Sequence, residues 1–342
     1  MGHKKKNTDK RDLHQQAYDR LKGMQSFGDS KAADKKYDRE HDTDITSGKI
    51  YSYSTYKTYW KHVKYFLKWV KENHPEIKKL DKARQYVPEW LQTRVDANLS
   101  AWTVQTEAAT LNKLYGIKTD DPRRFQPPRR RKEDIVRSRG TKARDAHFSE
   151  KKNEELVNFC KGCGFRRNIL EKLKGSDLYE KKQVMEALER ARVGGDWQMI
   201  KACTDALETF PDKEYFILHR SDKGGKTRMS PVVGPHVEQI VARMKGTGPD
   251  ELVWRYVSSN CDVHGYRSDY ATYIYKEYAR PIEDLKFSNK IRCADGKYRS
   301  EIYVCRGDEA GKRLDRRAIG VISIALGHNR EDTAISNYIQ NL

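Results

Sequence analysis

The sequence predicts a mainly α protein with small β-sheet hairpins, an α+β class, divided into two domains. Three observations lead there. Apolar stripes of helical period recur in both halves, the strand-like runs are short and flank glycine turns, and a proline- and arginine-rich stretch without apolar period parts the chain near its middle. At 342 residues the chain exceeds what one small core organises. The boundaries expected are a polar, basic segment at 1–46, a helical domain at 47–121, a basic linker at 122–147 and a second domain at 148–342.

In the first segment, Asp9 to Met24 can form a helix with Leu13, Ala17 and Leu21 on one stripe, and Asp29 to Arg39 another. A stronger helix is expected from Ser54, read as its N-cap, to Asn73. Tyr56, Tyr59, Val63, Phe66, Leu67 and Val70 share one face, and Lys57, Lys61, Lys64, Lys68 and Lys71 the other. Asp81 to Val95 reads as a helix that Pro88 can break, and Ser100 to Tyr115 as one ending at Gly116. A lysine face of this kind is either a solvated surface or a seat for phosphates.

The stretch from Pro122 to Asp145 carries Arg123, Arg124, Arg129, Arg130, Arg131, Arg137 and Arg139. It reads as an extended tether, and arginine rather than lysine favours phosphate contact. Beyond it, Ser149 opens a helix running toward Cys160. Gly-Cys-Gly-Phe then leads into a second helix with Arg166 and Arg167 at its start. A polar, helical insertion follows, roughly Glu180 to Pro211. The strands Glu214–His219 and Met229–Val233 flank the turn S-D-K-G-G-K-T-R as a hairpin that carries Lys223 and Lys226. Asp262 to Arg280 is helical after Gly265, and Asp295-Gly296 marks a second hairpin. A last helix is expected from Asp308 to Leu326, closed by Gly327.

The formal net charge of +19 predicts a polyanionic partner. Nucleic acid fits better than membrane: no apolar run approaches the roughly 20 residues of a span, and the N-terminus lacks the apolar core of a secretory signal. The six cysteines include a C-x-x-C pair, Cys160 and Cys163, without a second pair or histidines at zinc spacing. Buried thiols in a reducing cytoplasm are the favoured reading, and no metal or cofactor is expected.

The residues able to carry chemistry are Arg166, Lys223, His264, Arg267, His328 and Tyr338. A tyrosine that cleaves a phosphodiester needs fixed guanidiniums on the nonbridging oxygens, which Arg166 and Arg267 can supply. It also needs a proton donor for the leaving 5′ oxygen, for which Lys223 suits, and help in losing a phenolic proton whose ordinary pKa is about 10. His264 can assist there, and His328 can donate to a nonbridging oxygen. Each residue alone is more often an ordinary surface or packing residue.

Together these stretches resemble the boxes of the tyrosine recombinases, the phage-type integrases. G-F-R-R-N-I-L-E-K-L-K-G-S-D-L resembles the first arginine box, with Arg166 as its arginine and Arg167 one position away. K-G-G-K-T-R-M-S-P is similar to the β-hairpin lysine motif, its first lysine Lys223. H-G-Y-R-S-D-Y-A matches the histidine-x-x-arginine box at His264 and Arg267, and L-G-H followed by Tyr338 matches the last box and the nucleophile. The details look most like integrases of bacterial integrative and conjugative elements. Tyr303-x-x-Arg306 is a weaker internal rival to the histidine-arginine box, rejected because its surroundings read as a strand.

The resemblance implies a two-domain C-shaped clamp on duplex DNA, a helical core-binding domain and a tyrosine recombinase catalytic domain. It implies site-specific cleavage and rejoining through a 3′-phosphotyrosyl link and a four-way junction, by a homotetramer on DNA attachment sites, for integration and excision of a mobile element. DNA-bending or excision proteins would be accessory partners, and the location would be the bacterial cytoplasm, with the nucleoid. The chain departs from compact members in a longer stretch between Arg267 and His328 and in having four residues after Tyr338, too few for a long C-terminal helix. A type IB-like DNA-relaxing enzyme and a non-catalytic DNA-binding regulator of the same fold are the alternatives.

Overall fold

The structure, a computed structural model, describes residues 11–131, 134, 147–222, 225–293, 296–328, 334, 335, 338 and 339. The chain divides into two compact units, Met1–Asp134 and Ile135–Leu342. Both are mainly helical, and the second adds small antiparallel sheets.

The first unit contains α1 (Leu13–Gly23), α2 (Lys31–His41), α3 (Ile45–Gly48), α4 (Tyr53–Asn73), α5 (Leu80–Ala83), α6 (Val87–Asp96) and α7 (Ala101–Tyr115). Its core joins Ala17 and Leu21 of α1 to Val63, Phe66, Leu67 and Val70 of α4, Trp90 and Leu91 of α6, and Leu111 and Leu114 of α7. Helix α1 is therefore part of this core. Helix α4 is capped by Ser52, whose Oγ accepts from Thr55 N at 3.3 Å, and not by Ser54. The helix expected over Asp81–Val95 is two short helices joined by a 3₁₀ turn, because Pro88 has no N–H and is tolerated only in the first turn of α6. Residues 122–131 lie along this unit. Phe125 packs on its core, Gln105 Nε2 donates to Pro128 O at 2.7 Å, and the Arg130 guanidinium sits 5.8 Å from the Trp102 ring.

The second unit is built on a three-stranded antiparallel sheet of β1 (Leu178–Glu180), β2 (Tyr215–Asp222) and β3 (Lys226–Pro231). Side chains alternate across a strand, so β2 serves two cores. Ile217 joins one with α8 (Glu154–Cys163), α9 (Arg167–Leu170) and α12 (Val237–Lys245). Phe216 and Leu218 join the other with α10 (Lys181–Gly194), α11 (Trp197–Thr209), α13 (Val263–Tyr278) and α14 (Arg316–Ala325). Ala334, Ile335, Tyr338 and Ile339 are buried in that second core.

The hairpin expected around Asp295-Gly296 is present as β4 (Lys290–Arg292) and β5 (Tyr298–Ser300). The last helix starts at Arg316 and not at Asp308. Gly307 and Gly311 turn the chain at positive φ, and β7 (Arg313–Asp315) pairs with β6 (Ile302–Val304) before Asp315 caps α14. Tyr303 is thus on a strand. Helix α12 and strands β1 and β7 were not legible as separate elements. Cys160, Cys163, Cys203, Cys261 and Cys305 are buried free thiols, and burial raises the pKa of the first four, Cys203 and Cys261 to about 11. No helix among the described residues is long and apolar enough to cross a membrane.

Candidate active site

The site starts from the β2–β3 hairpin. His219 stands opposite Arg228, and between His219 and Asp222 the register shifts. Ser221 lies at the shift with φ of 48°, a left-handed conformation unfavourable for a side-chain-bearing residue. The extra residue turns Asp222 to the buried side, so His219 and Asp222 are both inside while Arg220 and Ser221 are exposed. Arg228 is 6% exposed and links everything nearby. Its Nε donates to Asp222 Oδ2 at 3.1 Å, its Nη1 to Ala325 O, and its Nη2 to His219 Nδ1 at 2.9 Å and to Gly164 O at 3.5 Å. Because an arginine can only donate, His219 Nδ1 accepts. The imidazole is then neutral with its proton on Nε2, which lies 2.6 Å from Ser230 Oγ.

Helix α13 delivers Arg267 from its second turn, after Asp262 caps the helix by accepting from Gly265 N at 2.9 Å. Arg267 is 0% exposed. Its Nη1 donates to Gly164 O and its Nη2 to Leu326 O at 2.6 Å, while Nε is buried without a hydrogen-bond partner. Gly164 closes α8 at φ of 63°, and a Cβ there would collide with the Tyr270 ring. Only glycine lets this carbonyl approach both arginines. Helix α14 ends in a Schellman motif: Gly327 N donates to Ile324 O at 3.0 Å and His328 N to Ser323 O at 2.7 Å, with Gly327 at φ of 67°. This turn sets His328 beside Tyr338, their ring centroids 5.2 Å apart. The His264 ring lies 5.0 Å from the same tyrosine, and the Arg267 guanidinium 5.2 Å from it. Tyr338 is 6% exposed.

Of the six residues singled out in the sequence, His264, Arg267 and His328 are therefore gathered around Tyr338. Arg166 is joined to them through Asp222, to whose Oδ2 its Nη1 donates, and from there through Arg228. Its neighbour Arg167 is used elsewhere: its Nη1 donates to Ser258 O at 2.9 Å and its Nη2 to Cys261 O at 2.5 Å. Lys223 lies outside the described residues, as do Arg137 and Arg139. Lys226 pairs in register with Asp222. In the first unit Lys57, Lys61 and Lys64 are exposed and lie over the rings of Tyr53, Tyr65 and Trp60, and Lys68 lies 3.8 Å from Glu72. Arg123 is 3.4 Å from Asp121, Arg124 is half-buried, and Arg129, Arg130 and Arg131 are exposed.

Asp222, Arg228 and His219 were missed in the sequence. Asp222 and Arg228 fall in S-D-K-G-G-K-T-R, the stretch read as the turn, and the partners Gly164 and Ala325 are 64 and 97 positions away from Arg228, beyond any local pattern.

The electrostatics are those of an anion site. Three guanidiniums, of Arg166, Arg228 and Arg267, meet one carboxylate, Asp222, among the described residues bonded into the group. Burial first, then Arg228 and Arg166, lower the pKa of Arg267 to about 9. Burial and the same three arginines bring His328 to about 3, so it is neutral near pH 7, and its Nε2 is buried without a hydrogen-bond partner. His219 is held well below its ordinary value by burial and then by Arg228. An anion entering this group would offset the mutual repulsion of like charges.

No family model matches the chain, and no curated protein matches its sequence. Among solved structures it is similar to one titled "Crystal structure of XerA recombinase", at 15% identity and a TM-score of 0.26 over 95% of this chain and 94% of that one. So loose a likeness carries no functional weight, and the site itself has to.

Proposed function

We propose that the second unit is the catalytic domain of a DNA strand-transfer enzyme of the tyrosine recombinase type, acting as an integrase of a mobile element. The observation that carries this reading is the setting of Tyr338: a phenol packed against two imidazoles and a buried guanidinium, beside two further arginines bridged by the Asp222 carboxylate. A phenol so placed meets a phosphodiester in surroundings suited to its extra transition-state charge.

In this reading the Tyr338 oxygen attacks phosphorus and the bond to the 5′ oxygen breaks. The chain is left on a 3′-phosphotyrosyl ester, and the leaving oxygen takes a proton from Lys223. Arg166 and Arg267 serve the nonbridging oxygens, and His328, neutral in the free protein, donates one N–H to them. His264 assists loss of the phenolic proton. A 5′ hydroxyl of a partner strand then reverses the step, so the ester energy is conserved and no nucleotide is consumed. The lysine face of α4 and the arginines of 123–131 supply sequence-independent phosphate contacts. Pairing of two duplexes by a tetramer, through a four-way junction, belongs to this proposal.

The test uses a pool of nicked duplex oligonucleotides of randomised sequence. Wild-type protein is expected to give an adduct that survives denaturant, and Tyr338→Phe none, with DNA binding within about threefold of wild type. An adduct that persists in Tyr338→Phe would refute the assignment. Joining of two different captured duplexes distinguishes recombination from simple relaxation, and binding without any adduct would favour a DNA-binding regulator.

A further inference from the structure

Asp222 has no part in the chemistry just described, yet it is 2% exposed among arginines. It reaches them only because Ser221 adopts φ of 48° at the register shift, a conformation that costs a side-chain-bearing residue free energy. Two of its neighbours use it differently. Arg228 has every nitrogen engaged and four of its five N–H donors spent inside the protein, on Asp222, Ala325 O, His219 and Gly164 O. Arg166 is tied to Asp222 through Nη1 alone, and it leaves the chain just after Gly164 as the cap residue of the four-residue helix α9. Nothing on so short a helix would fix a long side chain without such a partner.

We infer that Asp222, clamped by Arg228, is the positioning residue of the site: it holds the Arg166 guanidinium where a phosphate oxygen can take its remaining donors. The inference rests on the proposed strand-transfer function and adds a residue to it. Arg166 has five N–H donors in a plane. One is spent on the carboxylate, and the others stay directed by it, as in a carboxylate that orients a catalytic base. The carboxylate also tempers the repulsion between Arg166 and Arg228, which would otherwise drive Arg166 outward.

A positioning role through Arg166 predicts a particular failure of additivity. The rate of adduct formation on a captured nicked duplex would be measured for wild type, Asp222→Asn, Arg166→Ala and the double variant, with DNA affinity and thermal transition recorded for each. Asp222→Asn is expected to slow attachment about 10- to 100-fold while affinity changes less than about threefold, and to slow it less than about twofold when Arg166 is already alanine. Asp222→Glu, which keeps the charge on a longer stem, should recover part of the rate. Removing one partner of a buried pair can cost the fold. Should Asp222→Asn lose its thermal transition, the same cycle is run in an Arg228→Met background, where no uncompensated cation remains at that position. Equal slowing whether Arg166 is intact or replaced by alanine, no slowing, or a gain from Asp222→Asn would each overturn the inference. A wild-type protein that forms no adduct with any duplex would sink the parent reading as well, so the two failures are told apart.

Discussion

At the scale of single residues, the division of labour between Lys223 and Arg267 can be separated chemically. If Lys223 protonates the leaving oxygen, Lys223→Ala should slow cleavage of ordinary DNA by about 10² to 10⁴. A substrate with sulfur at the 5′ bridging position should escape most of that loss, because a thiolate leaves without a proton. It should not rescue Arg267→Ala, whose guanidinium serves other oxygens. Equal rescue of both, or of neither, would remove Lys223 from this role and make Lys226 the next candidate. The histidines give a second test. His328 titrates at about 3 in the folded protein against an ordinary 6.5, and His219 is also held well below 6.5. Between the folded and unfolded values the unfolded chain binds more protons, so stability contributed by these groups is complete above about 6.5 and is lost as pH falls toward the folded value. The thermal midpoint should therefore drop on acidification below about pH 6.5, and drop less in His328→Gln. An unchanged pH dependence in that variant would mean His328 is not held neutral.

At the scale of elements, the Schellman turn after α14 carries the site. A Cβ on Gly327 would have to sit in a left-handed conformation and 2.7 Å from Arg228 Cδ, whereas one on Gly320 in the same helix meets nothing within 4 Å. Gly327→Ala is expected to lower stability by about 1–2 kcal/mol from backbone conformation alone and to reduce adduct formation, while Gly320→Ala should do neither. Comparable thermal midpoints for the two would contradict the account. Elements whose pattern is self-contained were legible in the sequence. The stripe of α4, the Gly116 end of α7 and the D-G hairpin are read within one turn of the chain. Elements defined by a distant partner were not. The three residues of β1 are a strand because Tyr215–Ile217 lie beside them, and those of β7 because β6 does. The expected start of the last helix ran through that strand for the same reason.

At the scale of the whole molecule, the charge of +19 and the exposed basic side chains of the first unit predict binding that weakens steeply with salt. Replacing Arg123, Arg124, Arg129, Arg130 and Arg131 with serine should lower the log–log slope of affinity against salt by roughly 0.9 for each phosphate no longer neutralised. An unchanged slope would mean that these arginines do not touch DNA. The candidate site was legible in outline because its members sit in short motifs, H-G-Y-R and L-G-H among them. What ties them together, Gly164 O shared by Arg228 and Arg267 and the Asp222 bridge, depends on approaches that only folding creates.

The central claim is that Tyr338 becomes covalently joined to DNA. The measurement that bears on it most directly is mass spectrometry of the adduct after digestion with nuclease and trypsin. The peptide from Glu331 to Leu342 contains one tyrosine. The account predicts a nucleotide remnant on that peptide, attached at Tyr338 through a 3′ phosphate, with a free 5′ hydroxyl on the released strand. A remnant on any other peptide, or a 5′-linked remnant on this one, would contradict it.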